Sequence, residues 1–112
     1  MITIKKIKGN IYIQLQEIIT TKSAIGEDVE TYENYLSPIK GWLDMNSGDT
    51  KYSTYNSAIE ESSHVFLCDY QPINKAAKNL SAVINEKRYD VTYIDNPQER
   101  NYHLEIFLRA VE

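Results

Sequence analysis

The chain has 112 residues, a length that holds one domain with one hydrophobic core and leaves no room for a second of similar size. Hydrophobic residues make up 42% of it and charged residues 25%, which is typical of a globular protein and argues against wholesale disorder. With a formal net charge of −4, the chain lacks the basic surface that tight nucleic-acid binding requires. No apolar run approaches the roughly 20 residues of a membrane-spanning helix, so we expect a single domain over residues 1–112 that does not contact a membrane.

The first predicted strand follows Asn10, where Ile11, Ile13 and Leu15 alternate with polar and aromatic side chains. This alternation is typical of a strand with one buried face. The polar, acidic run of residues 23–30 comes next, and it predicts a turn.

Charge is distributed unevenly along the chain. Basic residues cluster near its start, at Lys5, Lys6 and Lys8. Acidic residues crowd one short stretch, at Glu27, Asp28, Glu30 and Glu33. We interpret these clusters as a basic tail and a solvated acidic loop.

A second strand is predicted over Ile39–Met45 because this run is rich in β-favouring residues. Pro38 cannot donate a hydrogen bond to a neighbouring strand, so the strand should start there or lie at a sheet edge. The polar run that follows, residues 46–63, is longer than a structureless connection usually is in a compact domain, which indicates a function. Near-helical spacing within this long loop allows one short helix, at Tyr52, Tyr55 and Ile59.

The second half of the chain contains the remaining predicted strands. His64–Tyr70 predicts a strand covered on both faces, in which Cys68 is a core residue. Leu80–Ile84 and Arg88–Asp95 flank a short polar turn and predict a hairpin. Tyr102–Val111 alternates most regularly and predicts the last strand. Five or six short strands without a βαβ rhythm predict an all-β, mainly antiparallel fold, either a small barrel or a sandwich.

The sequence shows no motif for catalysis, a metal or a cofactor. His64 and His103 have no serine or cysteine motif beside them, so we interpret both as strand-surface residues. Adjacent side chains point in different directions, so Glu60 and Glu61 do not indicate paired catalytic carboxylates. Cys68, the only cysteine, has no disulfide or metal partner in the chain, which fits a reducing cytoplasm. We therefore predict that the protein is not an enzyme and that it uses no metal or cofactor.

Several segments, taken in order, carry a resemblance to a known family. They are Gly41–Met45, Ser47–Tyr52, Ala58–Leu67, Val83–Val91, Ile94–Pro97 and Leu104–Val111. Their order resembles that of the head-closure, or head-tail joining, proteins in the neck of long-tailed bacteriophages. Gly41–Met45 is similar to the family's tryptophan-bearing strand. Val83–Val91 followed by Ile94–Pro97 is similar to its closing hairpin, and Leu104–Val111 to its last strand. The sequence departs from the family at Cys68, Asp69 and Tyr70, where an arginine-containing strand end is expected.

The resemblance implies a structural adaptor that binds beneath the portal, closes the DNA-filled head and provides the docking surface for the tail. Its implied partners are portal or adaptor ring proteins, tail completion proteins and copies of itself in a ring, with genomic DNA passing transiently through the channel. It would be located in the virion neck, and in the host cytoplasm during assembly. We expect the isolated chain to be a monomer, because contacts that order loops are weak without a template.

Within this interpretation, residues 46–63 are the candidate for a loop that orders on assembly. A surface loop without a partner is the alternative. The candidate partner-binding residues are Asp49, Lys51, Tyr52, Tyr55, Glu60 and Glu61. Two other functions stay open, a small OB-like barrel that binds nucleic acid and a generic protein-interaction module.

Overall fold

Six strands in the described part of the chain form one closed antiparallel barrel. The computed structural model describes residues 8–45 and 61–111. Its strands are β1 (Ile11–Lys22), β2 (Asp28–Met45), β3 (His64–Asp69), β4 (Leu80–Ile84), β5 (Lys87–Asp95) and β6 (His103–Ala110). They follow one another around the barrel in the order β1-β2-β3-β6-β5-β4. The predicted all-β fold is confirmed, and of its two forms the barrel is the one observed.

Helical structure in the described part is confined to two short 3₁₀ turns, Ala77–Asn79 and Pro97–Glu99. Neither is long and apolar enough to cross a membrane, and no other described segment is a helix that could do so. The short helix allowed around Tyr52, Tyr55 and Ile59 lies outside the described residues.

Alternate residues of the strands fill the barrel interior. The fully buried ones include Ile13, Leu15, Phe66, Cys68, Ala82, Ile106 and Leu108. The predicted core position of Cys68 is confirmed, and burial, followed by the nearby charge of Asp69, raises the pKa of its thiol to about 12. The alternation predicted for the last strand is found only in part. Leu104, Ile106 and Leu108 are buried as expected, but Glu105 and Phe107 on the other face are buried too, and Phe107 lies 6.2 Å from the Tyr93 ring. Tyr102 and Ala110, which were expected on the buried face, are exposed.

Gly41 allows β2 and β3 to approach closely at the centre of the barrel wall. A Cβ atom at this position would collide with the carbonyl oxygen of Leu67 and would lie 2.7 Å from Cε2 of Phe66. The backbone of Gly9 packs against Gly41 in turn, with the Asn10 amide donating to the Gly41 carbonyl over 3.1 Å. The missing side chain of Gly41 therefore leaves the space in which the Phe66 ring completes the core.

The β4–β5 hairpin has the predicted position, with a two-residue turn at Asn85 and Glu86. Both turn residues have positive φ, 50° and 67°. Positive φ at both positions is the mark of a type I′ turn, whose twist matches that of the two strands.

The second strand begins much earlier than the sequence predicted. β2 starts at Asp28 and not near Ile39, and the turn shrinks from residues 23–30 to residues 23–27. The amides of Ser23 and Gly26 close this turn, donating to the carbonyls of Glu27 over 2.8 Å and of Ser23 over 3.0 Å. Asp28, Glu30 and Glu33 were expected in a solvated acidic loop but lie in this strand, and of that group Glu27 alone belongs to the turn.

Pro38 lies inside β2, at a bulge. Ile13 pairs with Ile39 and Leu15 with Tyr35, so a single residue of β1, Gln14, faces three residues of β2. The Gln14 side-chain amide donates to the carbonyls of Leu15 at 2.7 Å and of Leu36 at 3.1 Å, which satisfies the irregular backbone. β3 pairs with β2 only from Gly41 onward, so Pro38 interrupts no pairing on that side. At Pro38, β2 is thus at a sheet edge on the side facing β3, as one of the two expectations had it. The other expectation, that the strand starts at Pro38, was wrong.

Candidate functional site

A two-stranded arm extends beyond the barrel. β4 pairs with β1 only over Gln14–Glu17, and β3 pairs with β2 only over Gly41–Met45. The end of β1, Ile18–Lys22, and the beginning of β2, Asp28–Asn34, therefore pair only with each other among the described strands. We call residues 18–34 the hairpin arm. It accounts for the elongated shape of the molecule, which measures 58 Å by 30 Å by 25 Å.

Local sequence explains why the arm forms a ribbon. Its strands are rich in β-branched and aromatic residues, which favour extended backbone: Ile18, Ile19, Thr20, Thr21, Val29, Thr31 and Tyr32. The turn between them is stabilised by the Ser23 hydroxyl, which accepts from the Glu27 amide at 3.2 Å, and by Gly26, whose φ of 83° suits glycine.

One side of the arm's base is held by the connection between β3 and β4. Nζ of Lys75 lies 2.8 Å from Oε2 of Glu17, and this hydrogen-bonded ion pair raises the pKa of Lys75. The Tyr35 hydroxyl donates to Oδ1 of Asn74 at 2.7 Å and accepts from the Asn74 amide at 3.0 Å. These contacts fix the direction in which the arm leaves the barrel.

The other side of the base packs on β5. The guanidinium of Arg88 lies 3.7 Å from the centre of the Tyr32 ring, within cation–π range. Nη1 of Arg88 also donates to the Ser81 hydroxyl over 2.8 Å. Arg88 thereby connects the arm to β4, whose Ser81 is almost completely buried although it is polar.

The surface of the arm combines acidic and apolar side chains. Ile25 at the tip is 80% exposed, and Val29 and Tyr32 are exposed as well. Within the described part of the chain, no ion pair involves Glu27, Glu30 or Glu33, whereas Asp28 pairs with Lys22 at 2.7 Å. Exposed apolar and charged groups on a ribbon with two free edges are typical of a protein-binding element.

A second exposed surface lies on the barrel wall, where Tyr12 is 57% exposed and Trp42 is 45% exposed. Tyr12 pairs with Lys40, whose ammonium lies 5.8 Å from the Tyr12 ring centre. We call Tyr12, Lys40 and Trp42 the aromatic wall. Large exposed aromatic residues beside a cation suit a protein partner, and they can also stack on nucleic-acid bases.

Of the sequence-predicted site residues, the structure describes Glu61. Asp49, Lys51, Tyr52, Tyr55 and Glu60 lie outside the described residues. Glu61 is exposed, with Oε2 at 3.7 Å from Nη1 of Arg109, while Nη2 of Arg109 lies 3.0 Å from Asp90. Together with Ile18 these side chains line one groove, so the end of the long loop adjoins the base of the arm.

The described part of the chain contains no group of three or more histidine, cysteine, aspartate or glutamate side chains that could hold a metal ion. His64 lies on β3, with Nδ1 at 2.8 Å from the Ser63 hydroxyl and its ring edge-on to Tyr89. The Ser63 hydroxyl also accepts from the Ala110 amide at 2.9 Å, so it connects β3 to β6. His103 lies on β6, with Nε2 at 3.7 Å from Glu105. The two histidines thus occupy the strand positions that the sequence indicated.

Sequence reasoning missed the arm. The signal for it was the pair of β-favouring runs on either side of Gly26, residues 18–22 and 29–35. Their hydrophobic residues do not alternate with polar ones, because an arm without a buried face imposes no alternation. The density of acidic residues in the same stretch predicted a loop in place of a strand.

Comparison with known proteins identifies solved structures with a similar fold. No protein-family model and no curated protein matches the sequence. The solution structure of protein SF1141 from Shigella flexneri 2a is similar with a TM-score of 0.66 and 16% identity, over 97% of this chain and 96% of that one. A chain from the virion of a native gene transfer agent (GTA) particle is similar with a TM-score of 0.58 and 9% identity, over 92% of this chain and 96% of that one. The fold of this chain is therefore shared, over nearly its whole length, with a component of a gene transfer agent virion.

Proposed function

We propose that this protein is a structural adaptor of a phage neck, which binds beneath the portal, closes the DNA-filled head and provides the docking surface for the tail. The observation that carries the proposal is the fold shared over 92% of the chain with a component of a phage-like particle. The resemblance of the ordered segments from Gly41 to Val111 to head-closure proteins supports the same role.

The shape of the molecule suits an adaptor, which has to contact several neighbours at once. Tyr12 in the aromatic wall and Lys22 in the hairpin arm are ten residues apart on one extended strand, a separation of about 33 Å. Two partners can therefore be engaged at the same time without competing for one surface. The closed barrel keeps these two surfaces in a fixed relation, because every barrel strand is paired on both sides.

The proposed partners are portal or adaptor ring proteins, tail completion proteins and copies of the chain in a ring, with DNA passing transiently through the channel. The protein would act in the virion neck after passing through the host cytoplasm, without enzymatic activity, cofactor or membrane contact. It would be a monomer until a ring template is present.

Sedimentation with and without purified portal rings tests this role. We expect the protein to sediment with the rings, and we expect genes for portal, capsid and tail components beside its own. Trp42→Ala should weaken binding at least tenfold if the aromatic wall faces the rings, because buried tryptophans dominate interface energies. Tyr102→Ala, which removes an aromatic residue of equal exposure elsewhere, is the matched control. Absence of binding to both portal rings and tail proteins would overturn the proposal.

The aromatic wall also gives some support to a second function, the binding of single-stranded nucleic acid. Tyr12 and Trp42 could stack on bases while Lys40 contacts a phosphate. A mobility shift on single-stranded DNA that weakens steeply with salt and is lost in Trp42→Ala would favour this function over the adaptor.

A further inference from the structure

We propose that residues 2–8 of one copy add as an antiparallel strand to the free edge of β2 in the hairpin arm of a neighbouring copy. This inference rests on the proposed function, since it describes how copies of an adaptor would join side by side. It combines an unpaired strand edge, complementary charges and the limited reach of the chain.

The acceptor is the outer edge of β2 from Asp28 to Asn34. On its other side, this segment pairs with β1, and β3 does not reach it because their pairing begins at Gly41. Its outward backbone amides and carbonyls thus have no strand partner within the described residues. Such an edge is a template for an added strand, and main-chain hydrogen bonds then supply much of the affinity.

The proposed donor has the composition of an edge strand. Residues 2–8 alternate isoleucine and threonine before three lysines, Lys5, Lys6 and Lys8. Isoleucine and threonine favour extended backbone, and the lysines complement the carboxylates of the arm, of which Asp28 also pairs with Lys22 in the single chain. No other cluster of lysines this dense occurs in the sequence.

In one antiparallel register, two lysines lie opposite carboxylates on the same face of the arm. When Lys6 lies opposite Glu30, Lys8 lies opposite Asp28, so both lysines face carboxylates across the added strand pair. Lys5 then points to the other face, diagonally across from Glu33. A shift of the register by one residue would send every side chain to the opposite face and separate these pairs.

The same register brings apolar side chains together. Ile4 lies opposite Tyr32 on the face that carries Glu30, and Ile7 lies opposite Val29 on the other face. Tyr32 and Val29 are both exposed in the single chain. The strand addition would therefore cover two of the exposed apolar residues of the arm while pairing its acidic ones.

The donor segment cannot reach the arm of its own chain. Gly9 packs against Gly41, which lies opposite Ile11, whereas Glu30 lies opposite Thr20. Nine residues of β1 separate these positions, or about 30 Å. Lys6 is three residues from Gly9 and reaches at most about 11 Å. The pairing must therefore join two copies, and because donor and acceptor are different surfaces, repetition builds a ring or an open chain.

Disulfide trapping tests the register in the complete protein, because a covalent bond accumulates contacts that are too brief to hold copies of the isolated monomer together. The double variant Lys6→Cys, Glu30→Cys should form a ladder of disulfide-linked oligomers under mild oxidation, whereas each single variant should stop at dimers. Native Cys68 does not compete because it is fully buried. The matched control is Lys6→Cys, Thr31→Cys, since Thr31 points to the opposite face and should give no ladder. The inference is overturned by equal ladders from both double variants, or by none from either.

Exchange of charges provides a second test. One variant replaces Lys5 and Lys8 by glutamate, and the other replaces Asp28 and Glu33 by lysine, so that positions 6 and 30 stay available for the trapping cysteines. When the trapping cysteines are placed in each variant, either variant alone should lose the ladder, and an equal mixture should restore it because each donor then meets a complementary arm. A mixture that stays without a ladder contradicts the inference.

Different results would refute the strand addition and the adaptor role. If the ladder is absent while the protein still sediments with portal rings, the strand addition is wrong and the adaptor role stands. If the ladder forms while neither portal rings nor tail proteins bind, the copies associate as inferred and the adaptor role is wrong.

Discussion

The barrel and the hairpin arm share the same two strands but are stabilised in different ways. In β1, Ile13 and Leu15 are fully buried in the barrel, whereas Ile18 and Ile19, a few residues further on, are only partly buried. The barrel half is held by the burial of apolar side chains in a common core. The arm half is held by pairing with β2 and by contacts at its base. Strand-forming residues thus build a stable body where a core is available, and an exposed two-stranded ribbon where none is.

Removal of a large core side chain should give the largest effect. Phe66→Ala is expected to reduce the free energy of unfolding by about 3–5 kcal/mol, because a fully buried ring is lost and a cavity remains. Val29→Ala in the arm is the control and should change stability by less than about 0.5 kcal/mol. Denaturant unfolding of both variants measures the difference. Similar losses for the two would contradict a division between core and arm.

Substitutions at two glycines, one in the barrel and one in the turn of the arm, compare the two regions in finer detail. Gly41→Ala should reduce stability by about 1–3 kcal/mol, because the added Cβ collides with the Leu67 carbonyl and crowds the Phe66 ring. Gly26→Ala meets no atom within 4 Å and strains only its own φ of 83°, at about 1 kcal/mol. Amide exchange should accelerate across the barrel in the first variant and only near the turn in the second. Faster exchange throughout the barrel in Gly26→Ala would be the contrary result.

The pH dependence of stability reports on the burial of the Cys68 thiol in the barrel. The thiol's folded pKa of about 12 lies above the ordinary thiol pKa of 9.0, so the folded state keeps a proton that the unfolded state releases. Its contribution to stability is therefore complete below pH 9 and is lost as the pH rises towards 12, by up to about 1.4 kcal/mol per pH unit. Cys68→Ala removes this dependence, so the stability difference between wild type and variant should shift in favour of the variant above pH 9. A difference that is constant with pH would contradict the buried thiol.

The contact between Arg88 and Tyr32 should matter mainly to the arm. Arg88→Ala is expected to lower global stability by about 0.5–1 kcal/mol and to accelerate amide exchange at the base of the arm, because the cation–π contact is lost. Lys87→Ala, which removes the neighbouring exposed cation, is the control. Equal exchange rates in the two variants would show that the contact does not hold the arm.

Shortening the arm should have the smallest effect on the barrel. Ile19 and Thr31 are cross-strand partners, so an Asn-Gly turn can connect them in place of residues 20–30. We expect the free energy of unfolding to change by less than about 0.5 kcal/mol, with the amide spectrum of the barrel preserved. A large loss of stability would mean that the arm is part of the folding core.

Local patterns indicated most of the barrel strands but did not indicate the hairpin arm. The alternation around Ile13, Cys68 and Ile106 indicated their strands, because a barrel wall buries every second residue. The arm has no buried face and therefore no such pattern. Of the loop residues proposed as a site, Glu61 is described, and it pairs with Arg109 from the other end of the sequence, a contact that its own surroundings did not indicate.

The sequence by itself determined that this chain forms mainly antiparallel strands around a core containing Cys68, because the period of two along a strand is visible in neighbouring residues. The tertiary structure alone decided that β6 closes the barrel between β3 and β5 and that β1 and β2 continue past the barrel as an arm. It also decided that Pro38 is accommodated at a bulge inside β2. These features depend on which strand lies beside which, and strand partners are chosen by contacts between residues far apart in the chain.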